Sequence, residues 1–102
     1  MKFEVTERFR ADRRRLSAED RALVERALRH FVAACDRFLL DPSAPWPAAL
    51  RVRDVEGAPG IWEMTWSFAG PDGRATFEWI RIDGEPAVRW RRIGRHEIFR
   101  GP

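Results

Sequence analysis

One histidine, His96, stands among arginines in the run Pro86 to Pro102, PAVRWRRIGRHEIFRGP. Five arginines there (Arg89, Arg91, Arg92, Arg95 and Arg100) meet one acid, Glu97, so the run carries a formal +4 while the whole chain carries +3. A guanidinium stays charged at any working pH and grips two phosphate oxygens at once. An imidazole, with an ordinary pKa of ~6.5, gives or takes a proton near neutrality. Together they suit phosphate binding and chemistry on a phosphodiester.

The elements that must position these groups follow from periodicity. Lys2 to Val5 reads as a short edge strand, and Glu7 to Arg15 is a charged segment. Ser17 opens S-A-E-D, a capping-box-like helix start. Leu23, Ala27, Leu28, Phe31, Val32, Cys35, Phe38 and Leu39 then recur at helical spacing, which predicts an amphipathic helix to about Leu40. Asp41-Pro42 stops it, and a Pro/Ala-rich loop runs to Ala49.

From Leu50 onward apolar residues alternate with polar ones. Leu50 and Val52 oppose Arg51 and Arg53, and Trp62, Met64, Trp66 and Phe68 oppose Glu63, Thr65 and Ser67. Ala75, Phe77 and Trp79 oppose Arg74, Thr76 and Glu78, and Val88 and Trp90 oppose Arg89 and Arg91. Turn residues between the runs make them antiparallel strands. The expectation is an α+β fold, with a helical segment packed on the apolar face of a twisted antiparallel sheet. The opposite face gathers Arg51, Arg53, Glu63, Thr65, Arg74, Thr76, Glu78, Arg89 and Arg91, with His96 just beyond the last strand. The plain alternative is a solvated face of Arg–Glu pairs, each worth ~0.2–1 kcal/mol.

At 102 residues there is room for one domain, 1–102. With 44% hydrophobic and 34% charged residues the composition is that of a globular protein. No apolar run approaches the ~20 residues of a membrane helix, and the first residues lack a signal-peptide core. The single cysteine, Cys35, falls on the helix's apolar stripe as a core thiol, and the setting expected is a reducing cytoplasm. Eighteen arginines against one lysine is a skew that genomic base composition explains, so the positions of the arginines say more than their number. No metal-type spacing and no cofactor motif is present. His30 reads as a surface residue of the helix, Trp62, Trp66 and Trp79 as core, and Trp46 either caps the core or lines a binding groove.

Three stretches resemble the RelE/ParE toxin superfamily of bacterial toxin–antitoxin modules. GIWEMTW (Gly60 to Trp66) is similar to the family's G-[LYW]-[WY]-E-L-R strand, although the arginine is replaced by Thr65. GPDGRATFEW (Gly70 to Trp79) is similar to its G-x-x-R turn and strand, which places an arginine at Arg74. RRIGRHEIFRGP (Arg91 to Pro102) is similar to the R-x-G-[ST]-H-x-x-[LI]-F ending of members with a C-terminal histidine. The first half of the chain fits by element order. The resemblance implies a metal-independent endoribonuclease that cleaves mRNA on the ribosome, blocks translation, and is held by a cognate antitoxin protein. It assigns His96 as acid or base and Arg74 as phosphate clamp. Arg91 and Arg89 stabilise charge, and Glu63 (or Glu78) acts as base or orienter. Arg51, Arg53 and Arg95 meet the RNA backbone, and Phe99 or Trp90 stacks on a base. The same superfamily also holds ParE-like DNA gyrase poisons that are not enzymes. A toxin-derived interaction module, and a general nucleic-acid binder, are further alternatives.

Overall fold

A threonine and a serine set the two helices. In the computed structural model, which describes residues 1–95, 98 and 100–102, the strand β1 (Lys2–Val5) leads into α1 (Glu7–Arg14), so the charged segment is a helix. The Thr6 hydroxyl caps α1 by accepting from the Phe9 N–H. The Ser17 hydroxyl accepts from the Asp20 N–H and opens α2 (Ala18–Leu40), as the sequence predicts. Val24, Ala27, Phe31, Ala34 and Cys35 are its buried stripe. Asp41 ends α2 in an extended conformation. The Ser43 hydroxyl and N–H both donate to its carboxylate, and these bonds lower its pKa.

A single 3-10 turn (Ala48–Leu50) follows, then β2 (Arg53–Asp54), β3 (Trp62–Ser67), β4 (Gly73–Ile82) and β5 (Glu85–Gly94). The first alternating run is therefore corrected. Leu50 is buried in the 3-10 turn, Arg51 takes a left-handed conformation at φ 48°, and only Arg53 and Asp54 pair. Between β4 and β5, Asp83 and Gly84 both have positive φ (53° and 78°), as a tight two-residue hairpin requires. Gly73 is needed for a different reason: a Cβ there would meet the Trp66 ring at 2.6 Å.

The sheet order is β1-β5-β4-β3-β2. The meander is antiparallel, as expected, but β1 joins β5 in parallel, with Lys2 opposite Ala87 and Val5 opposite Trp90, so the sheet is mixed. Beyond Trp90 the outer edge of β5 has no strand beside it, and α1 serves that edge with side chains. The Thr6 hydroxyl donates to the Arg91 carbonyl at 2.7 Å, and the Asp12 carboxylate accepts from the Ile93 N–H at 3.1 Å. Asp12 is itself buried and also accepts from the Arg92 Nε at 2.6 Å.

The core lies between the helices and one face of the sheet and is built from rings. Phe31 is fully buried and packs on Phe77 at 5.1 Å and Trp90 at 5.0 Å between centroids. Trp46 stacks on Phe31 and Phe38, so the loop tryptophan caps this cluster. Each fully buried large apolar side chain contributes ~1.5–3 kcal/mol of transfer free energy. Cys35 is buried there too, which pushes its thiol pKa up to about 12. Trp66 and Trp90 are buried, and Trp62 and Trp79 pack partly buried against the core. Among the described residues no helix is long and apolar enough to cross a membrane.

Candidate functional site

The polar face of the sheet carries two groups of opposed charges. At the β2–β3–β4 end, register sets Arg53 opposite Glu63, Glu63 opposite Thr76, and Thr65 opposite Arg74. The Glu63 side chain is only 4% exposed. It accepts from Arg53 Nε at 2.7 Å and from Arg74 Nη1 at 3.2 and 3.3 Å. Arg74 reaches Asp72 in the preceding turn at 3.4 Å, and Arg51 approaches the same carboxylate at 3.9 Å. Beside these groups opens a cleft of about 360 Å³ lined by Arg53, Asp54, Val55, Glu56, Glu63 and Arg74.

The second group centres on Glu78. It accepts from Arg89 Nη1 at 2.9 Å and from Arg91 Nη1 at 3.5 Å, and Glu4 of β1 takes the Arg89 Nε. These bonds, to Glu4 first and then Glu78, raise the Arg89 pKa above its ordinary value. A bulge interrupts the alternation at two neighbouring arginines. Thr76 pairs with Arg92 and Phe77 with Trp90, so Arg91 is the extra residue between them. Arg91 remains with Glu78, while Arg92 is drawn to Asp12 of α1.

The face is also less open than alternation implies. Glu63, Thr65, Ser67 and Thr76 are all buried. The chain returns over this face: the Pro102 oxygen accepts from the Thr76 hydroxyl at 3.0 Å and from Arg91 Nε at 3.1 Å, and the Gly101 carbonyl accepts from Arg92. Ile98 is fully buried.

Two expected contributors, Arg95 and Trp90, stand elsewhere. Arg95 lies over the Trp66 ring at 4.9 Å, bonds the Ala69 and Pro71 carbonyls at 2.9 and 2.6 Å, and pairs with Asp20 of α2 at 3.0 Å. It ties a turn to a helix start. Trp90 is 4% exposed within the ring cluster, so its reading as a base-stacking residue is withdrawn. His96 and Phe99, expected at the site, lie outside the described residues. Gly94, two positions before His96 in sequence, pairs with Arg74.

Asp12 and Asp72 organise the site without having been singled out in the sequence, whereas Thr76 is placed on this face by alternation. Asp12 had one usable signal: it lies three residues after the buried Phe9, on the same side of a short helix. Chemically, the described part of the face is a set of guanidiniums already balanced by carboxylates. An anion entering it must displace Glu63, Asp72 or Glu78, or bind through donors those carboxylates leave over. Among the described residues no three His, Cys, Asp or Glu side chains cluster as metal ligands.

No protein-family model matches the chain, and no curated protein matches it. A solved structure does match: the YoeB/ParE toxin from Agrobacterium tumefaciens, with a TM-score of 0.56 and 13% identity, over 94% of this chain and 99% of that one. The fold is RelE/ParE-like, with two helices on a five-stranded mixed sheet.

Proposed function

We propose that this chain is the toxin of a toxin–antitoxin module and that it acts in the cytoplasm as an mRNA endoribonuclease. The observation that carries the proposal is a RelE/ParE-like fold whose polar face presents Arg53, Arg74, Arg89 and Arg91 beside the strand end that leads to His96. RNA cleavage without a metal needs little more. The 2′-oxygen, losing its proton, attacks phosphorus, the 5′-oxygen leaves and gains a proton, and the phosphorane charge must be held meanwhile. His96 supplies the proton transfer. Arg74 holds the phosphate, with Arg89 and Arg91 on the charge that builds up. Glu63 fixes Arg74 in place through its bonds to Arg53 and Arg74. Arg51 lines the approach beside Asp72, and Phe99 offers a ring to a splayed base. The partners in this reading are mRNA on the ribosome and a cognate antitoxin.

One observation favours a second reading, a non-enzymatic binder of the gyrase-poison kind. Arg51, Arg53, Arg74, Arg89 and Arg91 each meet a carboxylate, which a catalytic phosphate site has to compete against. The test is mRNA cleavage in a purified translation system by the wild type and by His96→Ala. A catalytic histidine contributes ~10²–10⁴-fold, so the variant is expected to leave little product. Equal cleavage by both proteins removes His96 from the mechanism. Cleavage by neither, together with inhibition of gyrase supercoiling, replaces the ribonuclease reading with the binder.

A further inference from the structure

Where the polar face meets α1, cations close on the chain's own backbone. The Thr76 hydroxyl of β4 and Arg91 Nε of β5 both donate to the Pro102 oxygen, at 3.0 and 3.1 Å. Arg92 Nη1 donates to the adjacent Gly101 carbonyl at 3.0 Å. A fourth group comes from α1. A Cβ on Gly101 would lie 3.3 Å from Arg8 Nη2 and 3.8 Å from Arg92 Nη1, so the Gly101 backbone runs beside both guanidiniums. Arg8 is exposed, and among the described residues no carboxylate pairs with it.

Arg8, Arg91 and Arg92 thus line residues 101 and 102, with Asp12 on Arg92 and Glu78 on Arg91 as the carboxylates that meet them among the described residues. Glu78 is shared with Arg89. Thr76 is fully buried under this cover, whereas the Arg91 side chain is 37% exposed, so solvent reaches the site from one side. A guanidinium matches phosphate better than it matches a peptide carbonyl. Phosphate brings full negative charge and several acceptor oxygens, and a carbonyl brings one oxygen with a partial charge. Tying down two residues would need donors, but no third cation left without a carboxylate.

We propose that Arg8, Thr76, Arg91 and Arg92 form a phosphate site that residues 101 and 102 cover at rest, their backbone oxygens standing in for phosphate oxygens. The cover is anchored by the fully buried Ile98, whose carbonyl accepts from the Gly101 N–H at 3.2 Å. A phosphate enters by displacing it, so the apparent affinity is the intrinsic one reduced by the fraction of time the cover is away. The site shares Arg91 with the ribonuclease reading but requires binding alone, with no cleavage.

The test is NMR of the full chain with its seven glycines isotopically labelled, so that each glycine amide reports on its own surroundings. The probes are inorganic phosphate and a 2′-O-methyl RNA decamer, which has no 2′-hydroxyl to attack, with chloride at matched ionic strength as the control. The Gly101 amide is expected to shift saturably with phosphate while Gly84, in the β4–β5 turn, stays still. Arg8→Ala should weaken phosphate binding at least about fivefold. Ile98→Ala, which loosens the cover and removes no donor, should tighten it at least about threefold. A purely structural tie gives no gain on loosening. Saturation by phosphate and decamer alike assigns the site to a nucleic-acid backbone, and by phosphate alone to a free phosphate. The proposal is overturned by an equal response to chloride, by a shift at Gly57 beside the Glu63 cleft with Gly101 unmoved, or by Ile98→Ala binding no tighter than the wild type. Thermal unfolding separates lost binding from lost fold; if Ile98→Ala does not fold, the exposed Arg8→Ala change and the Gly101 signal decide. A responding Gly101 without mRNA cleavage refutes the ribonuclease reading alone, and cleavage with Gly101 unmoved refutes this one alone.

Discussion

Replacing Glu63 by Gln should weaken the fold and strengthen anion binding at the same time. The change is nearly isosteric, so its effect is electrostatic. In the native protein the Glu63 side chain is 4% exposed, Arg74 20% and Arg53 45%. Removing one member of a fully buried ion pair costs ~3–5 kcal/mol. Arg53 is close to half exposed, so its share is nearer the ~0–1 kcal/mol of a surface pair. Asp72 still faces Arg74 at 3.4 Å, and the glutamine oxygen still accepts a hydrogen bond. The net expectation is a loss of about 2 kcal/mol, or ~8–16 °C in Tm for a domain of this size. The guanidiniums of Arg53 and Arg74 are then less compensated, and phosphate no longer competes with a buried carboxylate. Urea unfolding followed by tryptophan fluorescence, in chloride and in phosphate at matched ionic strength, reads both effects. A ligand at ten times its Kd adds about 1.4 kcal/mol, so phosphate should restore much of the variant's loss while helping the wild type less. If the variant is as stable as the wild type, Glu63 does not hold the two arginines. If phosphate shifts both proteins equally, the cleft is not an anion site.

Two further outcomes follow from buried groups. Asp12→Ala removes one partner of Arg92, which keeps its bond to the Gly101 carbonyl, and the acceptor of the Ile93 N–H, and should cost about 2–3 kcal/mol of unfolding free energy in urea; Asp12→Asn, which keeps an acceptor, should cost less. The Cys35 thiol, raised from 9.0 to about 12 by burial first, should stay unreactive toward a disulfide reagent at pH 8 until the protein unfolds. Its effect on stability has a defined sign. A raised native pKa means stability is fully present below pH 9 and is lost as pH climbs toward 12, so Cys35→Ala should flatten the alkaline limb of the stability curve.

Much of the architecture was readable because it is local. Ser17, the helical stripe from Leu23 to Leu39 and Asp41-Pro42 mark α2 with signals within a few residues of each other. Asp83-Gly84 marks a hairpin because few residue pairs accept two positive φ angles. The polar face was legible as a list of residues for the same reason. What alternation could not carry was anything set by distant partners. The parallel pairing of β1 with β5 joins residues far apart in sequence and leaves no trace in either strand. The bulge at Arg91 and the pairing of Arg92 with Asp12 leave no mark in the alternation, and in the sequence Asp12 looks like one more charge in a charged segment. The run Leu50–Arg53 alternates correctly yet turns, because Leu50 and Arg51 bond back to Pro47 and Ala48 and Arg51 adopts the left-handed conformation. The burial of Thr76 goes with the return of Pro102 over the face, and that of Glu63 with its bonds to Arg53 and Arg74, tertiary events that binary patterning does not encode.

The pairing of Lys2 with Ala87 has a consequence for how the protein is made. While the first 84 residues emerge from the ribosome, β1 has no strand to join and Asp12 has no Arg92 to hold. The meander lacks β5, the strand that lies between β1 and β4. Helix α2 can form early, since its contacts are local, but its aromatic stripe has only part of a surface to rest on. Closure must wait for β5, and it then proceeds through contacts of high sequence separation, which form slowly. A nascent chain of this design completes its sheet only after residues 85–94 have emerged, near the end of its synthesis.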